Sequence, residues 1–378
     1  MNILINAITI TEGGGVVVLT HLLEFMHQID PGITWYVAAE AKVLASLPLS
    51  DKIIGVPYAW ARRSPLHLLY WYEIELPRLI SRVKIDLCFS HTNFLSRRRL
   101  SCPSLLLIHN AGYFSDLFTQ LQLKCYNTSK DAFLWKQKIK WAHHSIKRAT
   151  AVTVQTRVLA DKIVKRLSIS QEKIFTIPHG LGLLKSIKQK TRNFPTDSCW
   201  RIGYITKFGV QKDFDTAIRA VSQLKKAGVP IKLILTLDPK IKEYPPILQT
   251  IRQYEIEDIV ENLGEISDPE SVRRIYESLD LFIFPSIIES FGFTLVEAMA
   301  CGLPVIAADT DSNREVTGIA GQFFPVGDEK SLANRISQFM NQQDLYHAAS
   351  KNSLDRASAF CWQKTAEDLI NTIHKIIM

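Results

Sequence analysis

The sequence predicts an α/β protein made of two doubly wound domains, each built on a parallel sheet. The chain has 378 residues, which is too long for one ordinary hydrophobic core and indicates two domains of roughly 150 to 200 residues. Short apolar runs without polar alternation recur in both halves, as is typical of strands that are buried on both faces. Helical segments of about 10 to 15 residues separate these runs, and parallel strands need such crossovers.

Each element follows from its own pattern. In the first half, the predicted strands are NILINA, ITWYVAA, IDLCFS, SLLLIHN and AVTVQT, and the predicted helices include VVVLTHLLEFMHQI and YEIELPRLISRV. In the second half, the predicted strands are RIGYIT, IKLILTL, IVENLGE, LDLFIFPS, PVIAAD and GQFFPV. The helices there are DFDTAIRAVSQLKKAG, PESVRRIYESLD, FGFTLVEAMAC and the amphipathic FCWQKTAEDLINTIHKIIM.

A polar, basic stretch marks the expected joint between the domains. Residues 183–200 contain one proline and show no periodicity, which favours a linker. We therefore expect a first domain over residues 1–182, a linker over 183–200 and a second domain over 201–361.

Composition excludes several classes of protein. With 47% apolar and 22% charged residues, the chain is globular rather than disordered. No apolar run reaches the ~18 residues that span a bilayer, and the first residues lack the basic region and cleavage site of a signal peptide. Six cysteines without a C-x-x-C pair indicate a reduced, cytoplasmic protein.

The positive charge lies in the first half of the chain. Residues 1–180 contain 22 Lys and Arg against 12 Asp and Glu, whereas residues 181–378 contain 23 against 25. The first half therefore favours an acidic partner, which can be anionic lipid, nucleic acid or a phosphorylated substrate.

Two acids stand out between two predicted strands of the second half. Glu289 follows the strand that ends before Pro285, and Glu297 lies eight residues further on. Ligands bind at the carboxyl ends of parallel strands, and a helix that begins near Ser290 or Phe291 would direct its free amides to an anion there. Such a spacing also arises by chance, and an acid at a helix start also serves as a cap.

The residues around these acids resemble a known signature. The run PSIIESFGFTLVEAMACGLPVIAAD, residues 285–309, resembles that of the glycosyltransferase family 4 type, which comprises retaining enzymes with the GT-B fold. In that family a loop Glu, a glycine turn and a second Glu precede EAMACG. The resemblance implies that Glu289 binds the donor sugar and that Glu297 binds the ribose of a nucleotide. It also implies that residues around Gly292 bind the diphosphate.

A second motif resembles the family's strand, loop and helix that hold the diphosphate. In YITKFGVQKDFDTAIRAV, residues 204–221, Lys212 matches the family's lysine. Lys207 stands where arginine is usual, and Thr206 where glycine is usual. Lysine keeps the charge but lacks the planar fork that grips phosphate at two points.

Two motifs of the first half are weaker on their own. TEGGGVVVLTHLL resembles the family's glycine-rich loop and places Gly13, Gly14 and Gly15 between the first strand and the first helix, although a plain tight turn explains them as well. LLLIHNAG places His109 after a buried strand, where the family often has a histidine near the sugar, although a structural histidine is an alternative. His179, in IPHG, is interpreted as structural.

The resemblance covers nearly the whole chain and implies a function. The expected enzyme is a GT-B glycosyltransferase that retains anomeric configuration and needs no metal or other cofactor. It would move a hexose-type sugar from a UDP- or GDP-sugar to a glycan or lipid-linked acceptor, in cell-envelope polysaccharide or lipopolysaccharide synthesis. The terminal helix, residues 362–378, would pack back on the first domain. The implied site residues are His109, Glu289 and Lys212 for catalysis, Lys207, Lys212, Glu289, Ser290, Phe291, Gly292, Phe293, Thr294 and Glu297 for the donor, and Gly13, Gly14 and Gly15 for the acceptor.

Two other functions stay open at this point. A nucleotide-sugar epimerase or a phosphorylase-like enzyme can use the same architecture without a separate sugar acceptor. A non-catalytic nucleotide-sugar-binding protein is also compatible with the sequence, because Lys207 departs from the family pattern.

Two basic segments with aromatic residues suggest a surface partner. They are YAWARRSPLHLLYWY, residues 58–72, and FLWKQKIKWAHHSIKRAT, residues 133–150, which contains Trp135 and Trp141. Basic faces with tryptophan suit the anionic inner face of a cell membrane. A solvated helix with buried aromatic residues is the alternative. The chain contains no known nucleic-acid motif, so we expect no nucleic-acid partner.

Overall fold

A computed structural model describes residues 1–126, 128–184, 186–188, 190–197, 199–266 and 268–378. By internal contacts these residues form two compact units. The first contains Met1–Gly180 together with Cys361–Met378, and the second contains Leu181–Phe360.

The first unit is built on a parallel sheet of seven strands. The strands are β1 (Asn2–Asn6), β2 (Thr34–Ala39), β3 (Ile53–Pro57), β4 (Leu87–Ser90), β5 (Ser104–Leu107), β6 (Ala151–Val154) and β7 (Ile174–Thr176). Their order is β3-β2-β1-β4-β5-β6-β7. All residues of β4, β5 and β6 are buried, because helices cover both faces of a doubly wound sheet.

In the described part of the first unit, seven α-helices precede Gly180. They are α1 (Gly14–Ile29), α2 (Ala41–Leu44), α3 (Pro65–Tyr70), α4 (Leu76–Val83), α5 (Asp116–Lys124), α6 (Ser129–Arg148) and α7 (Arg157–Leu167). The segment YEIELPRLISRV, predicted as one helix, is divided: Trp71–Glu75 is a π-helical turn, and α4 begins at Leu76. Pro77 explains the division, because proline cannot donate a hydrogen bond to the preceding turn.

The second unit is built on a parallel sheet of six strands. The strands are β8 (Trp200–Tyr204), β9 (Ile231–Leu235), β10 (Val260–Asn262), β11 (Leu281–Phe284), β12 (Val305–Ala308) and β13 (Gly321–Phe324), in the order β10-β9-β8-β11-β12-β13. Its helices are α8 (Phe214–Lys226), α9 (Tyr244–Gln253), α10 (Pro269–Ser278), α11 (Phe293–Ala300), α12 (Asp311–Thr317), α13 (Glu329–Asn341) and α14 (Gln343–Ala357). Two parallel, doubly wound units confirm the fold class expected from the sequence.

Residues 183–200, expected as a linker, lie within the second unit. The side chain of Leu184 is buried in the core of that unit, and Trp200 already begins β8. The stretch is polar on average, but Leu184 and Trp200 near its two ends are buried in the core of the second unit. The last helix, α15 (Trp362–Ile377), belongs to the first unit, where it packs against α1.

Each sheet has one point at which the strand order reverses. In the first unit this point lies between β1 and β4, and in the second between β8 and β11. Loops that leave the carboxyl ends of such a strand pair diverge and open a crevice in which ligands bind. Throughout the described ranges, no helix combines the length and the apolar character needed to span a bilayer.

Candidate functional site

An ion pair joins the two loops at the reversal point of the second sheet. Lys212 lies in the loop after β8 and Glu289 in the loop after β11, and Lys212 Nζ is 2.5 Å from Glu289 Oε1. Their side chains are only 14% and 13% exposed, and Lys212 Nζ lies 5.2 Å from the centroid of the Phe284 ring. The structure therefore brings together a cation and a carboxylate, predicted separately, in a largely water-excluded place.

Backbone contacts fix the same two loops. The Ile287 amide donates to the Gln211 carbonyl at 3.0 Å, and the Tyr204 hydroxyl donates to the Lys212 carbonyl. The Asn313 amide group donates to the Ser286 and Ala308 carbonyls at 3.0 and 2.9 Å. These contacts hold the Lys212–Glu289 pair on a rigid frame rather than on a free loop.

The helix after Glu289 starts later than expected. Gly292 is the residue before α11 and has φ +86°, a conformation that glycine adopts without strain. The helix consequently begins at Phe293 rather than at Ser290 or Phe291, so the Thr294 amide lies in its first turn, while the Leu295 amide donates to the Gly292 carbonyl at 3.0 Å. The Phe291 ring is buried against Phe360, with 5.3 Å between centroids, so this side chain belongs to the core of the second unit.

Glu297 is buried within the second unit and has protein partners on both carboxylate oxygens. Oε1 accepts from the Leu183 amide at 2.8 Å, and Oε2 accepts from the Tyr276 hydroxyl at 2.9 Å. Burial raises the pKa of Glu297, while the hydrogen bonds from Leu183 and Tyr276 lower it. Glu297 thus connects α11 to the first residues of the second unit.

Lys207 has a different partner from Lys212. Its ammonium group forms an ion pair with Glu265, and the two side chains are 54% and 39% exposed. Lys207 lies after β8 and Glu265 after β10. This cation is therefore better solvated than Lys212 and is already paired.

In the first unit, the glycine-rich motif opens a helix rather than a loop. Gly13, with φ +66°, is the residue before α1, and Gly14 and Gly15 form its first turn. The expected position of all three glycines between strand and helix is therefore wrong for Gly14 and Gly15. The free amides of this turn lie after β1, on one side of the reversal point of the first sheet.

His109 lies after β5 among other imidazoles. Its backbone amide donates to Asn93 Oδ1 at 2.7 Å, and its ring centroid is 4.5 Å from that of His91 and 6.0 Å from that of His179. Burial, together with these two neighbouring rings, holds the pKa of His109 well below its usual value. His109 is therefore neutral at neutral pH.

The two other imidazoles are neutral for the same reason. Burial lowers the pKa of His91 to about 4, although a hydrogen bond with Gly15 opposes the shift. Burial also lowers the pKa of His179 to about 3, and the His179 ring stacks on Trp362 at 5.6 Å between centroids. At neutral pH the three rings offer hydrogen bonds without adding positive charge.

Sequence reasoning missed His91, Asn93 and Tyr276. His91 directly follows the buried strand LCFS, as His109 follows SLLLI, so the rule that selected His109 also selects His91. Asn93, at φ +67°, and Tyr276 become important only through the contacts that they make, and those depend on the fold.

The aromatic residues of the two basic segments point largely inward. Trp71 and Trp135 are buried, and the Trp141 indole donates to the Leu95 carbonyl at 2.8 Å. Trp135 is therefore not available to a membrane surface, whereas Trp141 is partly exposed. Exposed apolar residues do remain in these segments, namely Leu66, Tyr70 and Phe133.

Within the described part of the chain, no group of three or more His, Cys, Asp or Glu side chains is placed to hold a metal ion. The polar groups that the described residues bring together are the Lys212–Glu289 pair, the first turns of α1 and α11, and the neutral imidazoles.

Comparisons with known proteins agree with this architecture. The family described as "Glycosyl transferases group 1" matches residues 187–356, and "Glycosyltransferase Family 4" matches residues 12–183. Together these two matches cover most of both units.

Two curated relatives are similar over part of their length. The O-antigen chain mannosyltransferase B of Escherichia coli is 31% identical over 109 residues, which is 29% of this chain and 28% of that protein. The N-acetyl-alpha-D-glucosaminyl L-malate synthase of Bacillus anthracis is 29% identical over 176 residues, or 46% and 44% of the two chains. The chain thus matches less than half the length of these curated relatives.

Solved structures are similar over the whole chain. A sucrose-phosphate synthase from Thermosynechococcus elongatus has a TM-score of 0.75 at 18% identity and covers 99% of this chain and 98% of its own. An Anabaena protein in complex with UDP-glucose has a TM-score of 0.73 at 18% identity and covers 99% and 100%. The two family matches together span most of the chain, which therefore belongs to the glycosyltransferases of the family 4 and group 1 type, and the solved structures show that its fold is GT-B.

Proposed function

We propose that this protein is a retaining glycosyltransferase that moves a hexose-type sugar from a nucleoside diphosphate donor to a glycan or lipid-linked acceptor. The Lys212–Glu289 pair at the reversal point of the second sheet is the observation that carries this function. A cation and a hydrogen-bond acceptor are what a sugar diphosphate requires at the bond that breaks.

The donor belongs to the second unit. The Lys212 ammonium group and the first-turn amides of α11 neutralise the departing diphosphate without a metal. Lys207 adds charge once it exchanges Glu265 for phosphate. Glu289 accepts hydrogen bonds from sugar hydroxyls in exchange for part of its contact with Lys212.

Glu297 is assigned to the ribose. Its oxygens already accept from Leu183 and Tyr276, but each carboxylate oxygen has a second lone pair for a ribose hydroxyl.

Glu297→Ala should therefore weaken nucleotide binding, whereas Glu289→Ala should spare nucleotide binding and lower transfer. Calorimetric titration with bare UDP and GDP distinguishes these roles, and an equal loss in both variants would contradict them.

The acceptor belongs to the first unit, near the first turn of α1 and His109. Attack by the acceptor on the face from which the diphosphate departs retains the anomeric configuration. This route needs no covalent sugar intermediate, in contrast with a double displacement through a carboxylate. The neutral His109 imidazole is suited to hydrogen-bond a sugar hydroxyl.

An anionic membrane surface is the proposed meeting place with a lipid-linked acceptor. One face of α6 exposes Phe133, Lys136, Lys140 and Lys147, while Trp135 on its other face is buried. Exposed lysines beside an apolar ring suit an anionic bilayer surface. The envelope polymer to which the product belongs would be a polysaccharide or lipopolysaccharide.

The decisive experiment measures nucleotide release from a panel of UDP- and GDP-sugars, with and without a membrane-lipid extract. Wild type is compared with Glu289→Ala and with Glu270→Ala, a control at an exposed position of α10. Release that requires one sugar, the extract and Glu289 is the expected result. Tight nucleotide binding without release under any condition would favour a non-catalytic binding protein.

The same assay separates the enzymatic alternatives. An epimerase converts the donor without releasing the nucleotide, and chromatography of the donor sugar detects this conversion. A phosphorylase-like enzyme is expected to bind pyridoxal phosphate on a lysine, and its absorbance spectrum detects this. Either result would favour the corresponding enzyme over a glycosyltransferase.

A further inference from the structure

A buried carboxamide lies at the carboxyl end of β6. Gln155 directly follows this strand and is 2% exposed. Among the described residues, neither Oε1 nor Nε2 of Gln155 has a hydrogen-bond partner. Burying an amide without partners opposes folding, and native proteins seldom leave both of its polar atoms unpaired.

The next two strands of the sheet, β5 and β4, are each followed by a histidine. His109 follows β5, and the register of β5 and β6, with Leu107 opposite Thr153, places His109 beside Gln155 at one edge of the sheet. Within the described chain, His109 Nε2 and His91 Nδ1 are also buried without a hydrogen-bond partner. His91 follows β4, which pairs with β5, so three adjacent strands contribute to this set.

The contact of His91 with the first turn of α1 fixes its tautomer. His91 Nε2 is 3.0 Å from the Gly15 carbonyl oxygen, which only accepts, so Nε2 carries the proton. Since burial keeps this ring neutral, His91 Nδ1 is an acceptor. The set therefore contains a firm acceptor at His91 Nδ1, a donor at Gln155 Nε2 and an acceptor at Gln155 Oε1.

The chemistry of this set points to an uncharged ligand. None of its three side chains carries charge at neutral pH, so it does not suit phosphate or carboxylate. Adjacent hydroxyls of a sugar ring both donate and accept, which matches a carboxamide beside imidazoles. His109 is partly exposed as a residue, so the set lies directly below the surface of the unit.

We propose that Gln155 is a sugar-binding residue of the first unit, which hydrogen-bonds hydroxyls of the sugar together with His109 and His91. This inference rests on the proposed function, since it assigns these residues to the sugar that a transferase handles. It places a specificity-determining side chain on β6, a strand that no sequence motif connected with the site.

Gln155→Met separates a ligand-binding amide from a structural one. Methionine has a similar length and no strong hydrogen-bonding group, so it removes the unpaired amide while filling its space. If the amide serves the sugar, the melting temperature of the variant stays equal or rises. At the same time kcat/KM for transfer falls by about tenfold, the factor that one hydrogen bond to a ligand contributes.

Gln155→Leu is a second variant in case methionine packs poorly. The matched control is Gln363→Met, which makes the same substitution on the exposed surface of α15. The control should leave both the melting temperature and transfer as in wild type. A lower melting temperature in both Gln155 variants would show that the amide has a structural partner and would overturn the inference. Unchanged transfer at equal stability would overturn it as well.

A third readout keeps the inference separate from the proposed function. If wild type transfers no sugar from any donor, the proposed function fails, and thermal shift with a panel of free hexoses then tests Gln155 alone. Hexoses should raise the melting temperature of wild type but not of Gln155→Met. An equal shift in both proteins would show that Gln155 does not bind the sugar.

Discussion

At the residue scale, Lys212 and Glu289 depend on each other for stability as well as for function. Both charged groups are largely removed from water, and each is the other's ion-pair partner at 2.5 Å. Removing one charge leaves the other with little solvent and no counterion, which costs more free energy than removing both. The pair therefore keeps the donor site ordered before any phosphate arrives.

A double-mutant cycle tests this dependence. Lys212→Met and Glu289→Gln should each lower the free energy of unfolding by about 1 to 3 kcal/mol, and the double variant should lose less than the sum. Lys212→Met alone should also weaken binding of UDP or GDP, because the phosphate loses its cation. Denaturant titrations give the coupling energy, and purely additive losses would contradict an energetically coupled pair.

The neutral imidazoles predict how stability depends on pH. Burial lowers the pKa of His91 to about 4 and that of His179 to about 3, from about 6.5 in the unfolded chain. Below pH 6.5 the unfolded state binds protons that the folded first unit does not. The free energy of unfolding is therefore not reduced by His91 and His179 above about pH 6.5, and it decreases as the pH falls toward 4 because the unfolded state takes up these protons.

His91→Gln measures one of these protons. Urea unfolding between pH 7 and pH 5 should show that stability falls less steeply in the variant, by up to about 1.4 kcal/mol per pH unit. Gln363→Met, a substitution without a titratable group at an exposed position of α15, should leave the slope as in wild type. A slope that His91→Gln does not change would mean that His91 is protonated in the folded protein.

At the element scale, the start of α11 depends on one backbone conformation. Gly292 has φ +86°, and a Cβ atom there would lie 3.2 Å from Phe284 Cζ. A residue with a side chain strains this turn and tilts the first amides of the helix, which are the groups assigned to the diphosphate. The geometry of the helix start thus matters for binding as much as its dipole does.

Gly292→Ala should cost about 1 to 2 kcal/mol of stability and weaken nucleotide binding. Gly228→Ala is the matched control, because Gly228 follows α8 at φ +73° and its Cβ would have no heavy atom within 4 Å. We expect a similar loss of stability in the control with unchanged nucleotide affinity. If both variants bind the nucleotide like wild type, the α11 amides do not hold the diphosphate.

The sequence predicted those elements whose pattern is strong locally. Buried runs such as LFIF in β11 have no polar alternation, and they were assigned correctly. Strands β3 and β7 were missed because they lie at the two edges of their sheet, where IIGVP is only partly buried and IFT has three residues. An edge strand is less completely buried than a central one, so its sequence need not show the continuous apolar run from which strands were predicted.

The same limit applies to the candidate site. Glu289, Lys212 and Gly292 could be predicted because they belong to a contiguous motif. Gln155 could not, since its unusual feature is the lack of partners, and that depends on which side chains the neighbouring strands place beside it. Contacts across strands are not a property of any short stretch of sequence.

At the scale of the whole molecule, the charge is divided between the two halves of the chain. The first 180 residues contain 22 basic against 12 acidic side chains, whereas the remainder contains 23 against 25. On α6 the basic residues Lys136, Lys140 and Lys147 share an exposed face. A surface of this kind attracts an anionic bilayer at long range and loses its attraction as salt is added.

Vesicle binding tests this attraction. The variant Lys136→Gln/Lys140→Gln should bind vesicles rich in anionic lipid about 30-fold more weakly than wild type, because each lysine near such a surface contributes about 1 kcal/mol. Lys226→Gln/Lys330→Gln removes two exposed lysines of the second unit and should bind like wild type. Wild-type binding should also decrease with added salt and be absent on uncharged vesicles, as measured by co-sedimentation. Equal losses in both double variants would mean that overall charge, rather than the face of α6, attracts the membrane.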